Sequence, residues 1–223
     1  MSPLLQPLLL TPLFSLSSLY VYTYHHCSVG NNNAFEVNRK TDLAITYNDI
    51  SVLENYHCAL ATKIINECGL LANLTTDEQT AFRKLMIPMV LNTDMAHHFT
   101  LLSNLKDVCS TTYNEEDDKA KAEKKKLILC EAVLHMADIS NPSKPWTVSV
   151  EWSNRVFNEF WQQGDLEKQY NLPISMLCDR DNTKQDESQV NFVDFIVAPF
   201  LFATVVAFPT ALRPLVDGLL ENR

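Results

Sequence analysis

Glycine is scarce. The 223-residue chain has four, too few for glycine-built nucleotide loops or for the many tight turns of an all-β fold. Positive charge is also in short supply. Eighteen Lys and Arg stand against 27 Asp and Glu, a formal net charge of −9, which repels phosphate backbones and argues against a nucleic-acid partner. The six cysteines (Cys27, Cys58, Cys68, Cys109, Cys130 and Cys178) include no CxxC pair and match no zinc module. They are read as reduced thiols of a cytoplasmic chain. Cys58 and Cys130 fall inside apolar helical patterns, where a free thiol packs as a small hydrophobe. An Asn73-Leu74-Thr75 triplet fits a glycosylation acceptor, but such triplets are common by chance.

Fixed charge is missing from residues 1 to 35; the first charged side chain is Glu36. A signal peptide wants a basic start, and this segment has no Lys or Arg. A spanning helix needs ~20 consecutive apolar residues, and Pro3, Pro7 and Pro12 interrupt this one. No membrane span is expected. From Pro3 to Leu19, fifteen of seventeen residues are Leu, Pro, Ser or Phe, as translation of a polypyrimidine tract would give. The chain therefore divides into an apolar segment at residues 1–29, read as unstructured or as intron sequence carried through, and a body at residues 30–223.

The body is balanced in composition, with 46% hydrophobic and 20% charged residues in the whole chain, enough apolar surface to offset chain entropy. It reads as helix after helix. An apolar-periodic run from Val52 to Ile65 stops at Gly69. Thr75-Thr76-Asp77-Glu78 starts a second helix, which Pro88 should kink. Glu115 to Asp118 open a long helix whose following lysines form a solvated face, with Leu127, Cys130, Leu134 and Ala137 as its buried stripe and Asn141-Pro142 as its end. Trp152, Val156 and Phe160 share a face of the next helix, closed by Gly164. The last helices run from Phe192 to Phe208 and from Leu212 to Leu220. The class is all-α.

Three groups of residues can carry chemistry. Asp138 sits near the C-terminal end of a helix, where a carboxylate is unfavourable unless a cation compensates. It is read as a metal ligand or as a polar helix stop, with His135 sharing the site or packing. Glu54 and His57 share a helix face; they orient metal-bound water or form a surface pair. Gln189 and Phe192, three apart, also share a face. An amide that both donates and accepts, beside an aromatic ring, suits a planar heterocycle; the alternative is a helix-start residue and a core Phe. Thr93, Asp94, His97 and His98 form a further polar cluster, in which the adjacent histidines point different ways.

Seen together, these strings resemble the catalytic domain of class I cyclic nucleotide phosphodiesterases. They are Gly30-Asn31-Asn32-Asn33-Ala34-Phe35, Tyr47-Asn48-Asp49, Ser51-Val52-Leu53-Glu54-Asn55 and Thr93-Asp94-Met95. Further on come His135-Met136-Ala137-Asp138-Ile139-Ser140-Asn141-Pro142, Gln163-Gly164-Asp165, Leu177-Cys178-Asp179, and Ser188-Gln189-Val190 leading to Phe192. The resemblance runs from about residue 30 to the end. It implies hydrolysis of cyclic AMP or cyclic GMP to the 5'-monophosphate by two divalent metal ions, zinc and magnesium or magnesium and manganese. In that family a hydroxide bridging the metals attacks phosphorus in line and a His protonates the leaving O3'. It implies Asp138 as a metal ligand, Glu54 and Thr93 in the shell of metal-bound water, Gln189 as the purine-binding amide and Phe192 as the stacking clamp. Asn141, Val156 and Leu177 are implied as nucleotide-pocket residues.

The sequence departs from the family upstream. Aligned on Gly30, Tyr24 stands for a metal-ligand His, His25 for the ligand Asp, and Ser28 for the His before the family's Pro. The motif with the general-acid His is not found. Tyr56 stands where a His is usual. The expectation is that the chain as written does not turn over cyclic nucleotides, and that it keeps a purine pocket or folds poorly. Exposed apolar faces would favour association, including pairing of two copies.

Overall fold

The computed structural model of the protein describes residues 30–111 and 119–223. Among these residues every regular element is helical, as expected. In chain order the helices are α1 (Asn33–Arg39), α2 (Asp42–Thr46), α3 (Val52–Glu67), α4 (Thr76–Leu91), α5 (His98–Ser110), α6 (Lys119–Asp138), α7 (Trp146–Gln169), α8 (Gln185–Phe192), α9 (Ala198–Ala207) and α10 (Pro209–Asn222). Short 3-10 turns at Met95–His97 and Asn141–Ser143 precede α5 and α7, and a π-helical segment, Val193–Val197, joins α8 to α9. The segment 1–29 and the acids Glu115 to Asp118 lie outside the described residues.

Local signals set several boundaries. At the start of α4 the Thr75 hydroxyl accepts from the Glu78 N–H at 3.3 Å and the Glu78 carboxylate accepts from the Thr75 N–H at 2.8 Å, a reciprocal capping box. Helix α3 ends at Cys68, and Gly69 follows with φ +61°, a left-handed turn that glycine enters without steric strain. Pro88 lies within α4, which continues to Leu91.

Helix α6 organises the interior. Ile128, Ala132 and Met136 recur every four residues and bury against Leu101, Leu102 and Leu105 of α5, Phe200 and Leu201 of α9, and Val216 and Leu219 of α10. Cys130 and Leu134 are two residues out of phase, about 200° around the helix. They bury against Cys58, Ala61 and Ile65 of α3 and Met86, Met89 and Val90 of α4. The single stripe expected from the sequence is thus corrected. Leu127 is half-buried and Ala137 exposed, because two opposed faces of α6 are covered.

Two further expectations change. Gly164 does not close α7, which continues to Gln169. A Cβ at this position would lie 1.9 Å from the carbonyl oxygen of Cys178, so the glycine is required by the close approach of the following loop. The run from Phe192 to Phe208 is not one regular helix. The Ala198 N–H donates to the Val193 carbonyl, five residues back, one residue before Pro199, which has no N–H to continue the normal ladder. The whole stretch Gln185–Ala207 is long and apolar enough to cross a membrane by length and composition, with a window of mean hydropathy 2.0. Its inner face buries Val197, Phe200, Leu201 and Thr204, while Phe195, Phe202 and Val206 are exposed.

Gly164→Ala is expected to destabilise the protein by about 1–3 kcal/mol, the usual range for overpacking, seen as a lower urea midpoint with an unchanged slope. A wild-type midpoint would show that the loop at Cys178 moves aside without strain.

Candidate functional site

The site begins at Asn32, whose extended backbone leads into α1 and whose side chain accepts from the Phe35 N–H at 3.0 Å. Its N–H donates to Gln163 Oε1 at 2.8 Å, and Gln163 Nε2 donates back to Asn32 Oδ1 at 3.1 Å and onward to Glu167 Oε1 at 2.9 Å. Both Gln163 and Glu167 are buried. Glu167 also accepts from the Ser175 N–H at 2.7 Å and the Ser175 hydroxyl at 2.5 Å. Buried polar groups of this kind are tolerated because each is satisfied.

The next residue reaches a pair of carboxylates. Asn33 Nδ2 donates to Glu54 Oε2 at 2.8 Å and to Asp94 Oδ2 at 3.4 Å, and Asn33 Oδ1 accepts from the Leu53 N–H at 2.9 Å. Asp94 also accepts from the Ser51 hydroxyl at 2.8 Å and from the Ala96 N–H at 2.9 Å, the latter capping the turn before α5. Ser51 precedes α3 with φ +41°, a left-handed conformation uncommon for a residue with a Cβ. Burial pushes the Glu54 carboxyl up to about 6; the Asn33 bond opposes this and the nearby Asp94 charge adds to it. A carboxyl in that range gives up and takes back a proton close to neutral pH, as an acid–base group must.

The other residues implied by the resemblance are placed as follows. Thr93 is buried, and its hydroxyl donates to the Val90 carbonyl at 2.7 Å. His57, one turn along α3 from Glu54, is buried and its pKa is pushed down by burial to about 4. Asp138 is the last residue of α6 and is exposed, not buried. His135 packs: its Nε2 lies 2.9 Å from His98 Nδ1, and the ring meets Phe200 edge-on at 4.9 Å. His97 is only half-buried beside the fully buried His98, so the adjacent histidines diverge as their spacing requires.

Some 610 Å³ of cavity opens between α7, α8, α10 and the Asn141–Ser143 turn, with Trp146, Ser153, Asn154, Gln185, Gln189 and Arg223 on its wall. Gln185 Nε2 donates to Ser153 Oγ at 2.8 Å and to Asn154 Oδ1 at 2.9 Å, which ties α8 to α7. Gln189 therefore faces the cavity. Pro142 lines it too, beside Asn141. Phe192 packs instead against the core shared by α5, α6, α9 and α10. Val156 is half-buried on α7, and Leu177 is exposed with φ +67° in the loop after it; neither is on the cavity wall. Asn33 and Gln185 were not singled out from sequence. Their partners lie on other helices, a relation that spacing does not display.

Among the described residues no group of three or more His, Cys, Asp or Glu converges as metal ligands. Those residues do not by themselves fit a two-metal centre. Tyr24, His25 and His26 lie outside them.

One all-helical scaffold thus carries a half-buried carboxylate pair and an amide-lined cavity, the concave, polar kind of place where small molecules bind. The comparisons with known proteins are specific. A model described as 3'5'-cyclic nucleotide phosphodiesterase matches residues 10–219, and the chain belongs to that family. The match begins upstream of Gly30, inside the uncharged segment. The chain is 38% identical, along its whole length, to a probable 3',5'-cyclic-AMP phosphodiesterase (pde-4) of Caenorhabditis elegans, of which it covers 34%. It is 38% identical over 88% of its length to the human dual specificity calcium/calmodulin-dependent 3',5'-cyclic nucleotide phosphodiesterase 1B, covering 35% of that protein. The chain thus spans about a third of the length of these curated relatives. The crystal structure of the phosphodiesterase domain of the RhoPDE fusion protein from the choanoflagellate Salpingoeca rosetta superposes with a TM-score of 0.81 at 32% identity, over 95% of this chain and 68% of that one.

The histidine pair makes a pH prediction. Burial lowers the pKa of both rings; for His135, burial and, to a smaller extent, the neighbouring His98 together lower it to about 4. His98 Nε2 and His135 Nδ1 have no hydrogen-bond partner among the described residues, so a proton gained there is not stabilised. The unfolded chain binds these protons near ~6.5; stability from the pair is therefore complete above that pH and lost as pH falls toward 4. A double variant, His98→Leu with His135→Leu, is expected to lose less of its urea midpoint between pH 7 and pH 5 than the wild type. Equal losses would remove the pair from the acid response.

Proposed function

We propose that the protein hydrolyses a 3',5'-cyclic nucleotide, cyclic AMP or cyclic GMP, to the 5'-monophosphate, in cytoplasmic signal transduction. The observation that carries this reading is Gln189 on the wall of the α7–α8 cavity, in a chain whose family match runs over residues 10–219. A carboxamide presents a donor and an acceptor side by side and can meet the edge of either purine. Glu54, with its pKa raised to about 6, supports the reading as a group able to accept a proton from water near neutral pH. Zinc and magnesium, or magnesium and manganese, belong to the same proposal. Of the ligands that the resemblance implies for them, Asp138 is the one among the described residues. Thr93 belongs to the proposal beside Glu54, and Phe192, Asn141, Val156 and Leu177 beside Gln189. Pairing of two copies is proposed through the exposed side chains Phe195, Phe202 and Val206.

A second reading has its own observation, the lack of a converging ligand group among the described residues. It makes the chain a cyclic nucleotide binder without turnover, which is also what Tyr24, His25 and Ser28 predict.

Incubation of the purified chain with Zn²⁺ and Mg²⁺ decides between the two: chelator-sensitive conversion of cyclic AMP or cyclic GMP to the 5'-nucleotide supports the first reading. Gln189→Ala is expected to raise KM about tenfold, the loss of one or two hydrogen bonds. Saturable binding of labelled cyclic nucleotide without product would select the second reading. Neither binding nor product would remove both.

A further inference from the structure

Asn33 holds a position that no resemblance assigned. Its carboxamide touches both carboxylates of the Glu54–Asp94 pair and, through Oδ1, the backbone N–H that opens the α3 turn at Leu53. All three polar functions of the side chain are committed. The amide has one workable orientation, because a flip would set its oxygen against two carboxylates and its nitrogen against an N–H. Its backbone is committed as well. The preceding residue is gripped twice by Gln163, which is 1% exposed and is itself anchored on the fully buried Glu167. A continuous line of hydrogen bonds therefore runs from Ser175, in the loop after α7, through Glu167, Gln163 and Asn32, to the neighbour that holds Glu54.

We propose that Asn33 is a positioning residue for the hydrolysis proposed above, fixing the direction of the Glu54 carboxylate and keeping it apart from Asp94, with Gln163 acting through Asn32 to set Asn33. The inference rests on the hydrolytic reading. The physical argument is local. Two like charges drawn together in a half-buried place repel, and the repulsion is relieved by protonation or by rotation of one side chain. An amide donating to both removes the need for either, and it adds no charge to the site. A bond to the charged form also holds a carboxylate ionised against desolvation. Ser51 does the same for Asp94 alone.

The test is a ¹³C carboxyl titration of the full 223-residue chain by NMR, with the Glu54 resonance assigned by its loss in Glu54→Gln. In Asn33→Leu, close in shape but unable to donate, the Glu54 midpoint is expected to rise by about 1 pH unit. In turnover assays the acid limb of the pH–rate profile moves by the same amount, and kcat falls about tenfold or more with KM changed less than threefold. Ser51→Ala is expected to leave the Glu54 midpoint in place. If Asn33→Leu does not fold, Asn33→Ser, too short to reach either carboxylate, is read in the same way. A folded variant with an unmoved Glu54 midpoint and pH profile overturns the proposal. A Glu54 midpoint that shifts in Asn33→Leu, with no turnover by the wild-type chain, overturns the hydrolytic reading and leaves the clamp on Glu54 established.

Discussion

The structure depends on the burial of one helix from two sides. Helix α6 presents Ile128, Ala132 and Met136 to one core and Cys130 and Leu134 to another. A helix covered on both flanks cannot shift or rotate without opening a cavity, and filling such cores contributes about 1.5–3 kcal/mol per large apolar side chain. The site inherits this rigidity. On one flank α3 and α4 carry Glu54 and lead to Thr93; on the other α9 continues the helix that carries Gln189. Asp138 ends α6 itself. The two sets of candidate residues are thus referred to a common axis, even where no side chain of one touches the other.

Much of this was legible in the chain. Helix starts written in local chemistry, such as Thr75 to Glu78, form as read, and the stop at Gly69 is a left-handed turn. Cys58 and Cys130 are buried as small hydrophobes. Illegible were the features that depend on a distant partner. Gly164 looked like a helix stop because glycine usually is one, but the atom that demands it is the Cys178 carbonyl. Ala137 looked buried because its spacing continues one stripe, whereas α6 uses two. The π-helical segment after Phe192 left a signal in Pro199, yet proline inside an apolar run more often ends or kinks a helix than inserts one residue.

The candidate site divides in the same way. Glu54 and Gln189 were singled out because they sit in strings that resemble a family; in the structure the Glu54 carboxyl is pushed up to about 6 and Gln189 lines a cavity. Phe192 shows the limit of spacing as evidence. Three residues on from Gln189 in the same helix, it is half-buried and packs against the core, since the step leaves the two side chains about 60° apart and the cavity occupies only part of that helix's outer surface.

What joins the two halves of the site is polar, not apolar. Helix α7 packs mainly against the Asn141–Ser143 turn and α8, and it is tied by side-chain amides at two points along its length. Ser153 and Asn154 hold Gln185 at its N-terminal half, and Gln163 holds Asn32 at its C-terminal half. Each such bond contributes only about 1 kcal/mol net, less than one well-buried leucine. Hydrogen bonds are directional, however, and apolar contacts are not. A helix held in this way is fixed in rotation about its own axis more firmly than in stability. Rotation is the coordinate that decides whether the cavity facing Gln189 and the anchor behind Asn33 exist together. In this protein the relation between the cavity wall at Gln189 and the carboxylate pair is therefore set by α7 and its amides, while α6 and its two cores keep both ends folded.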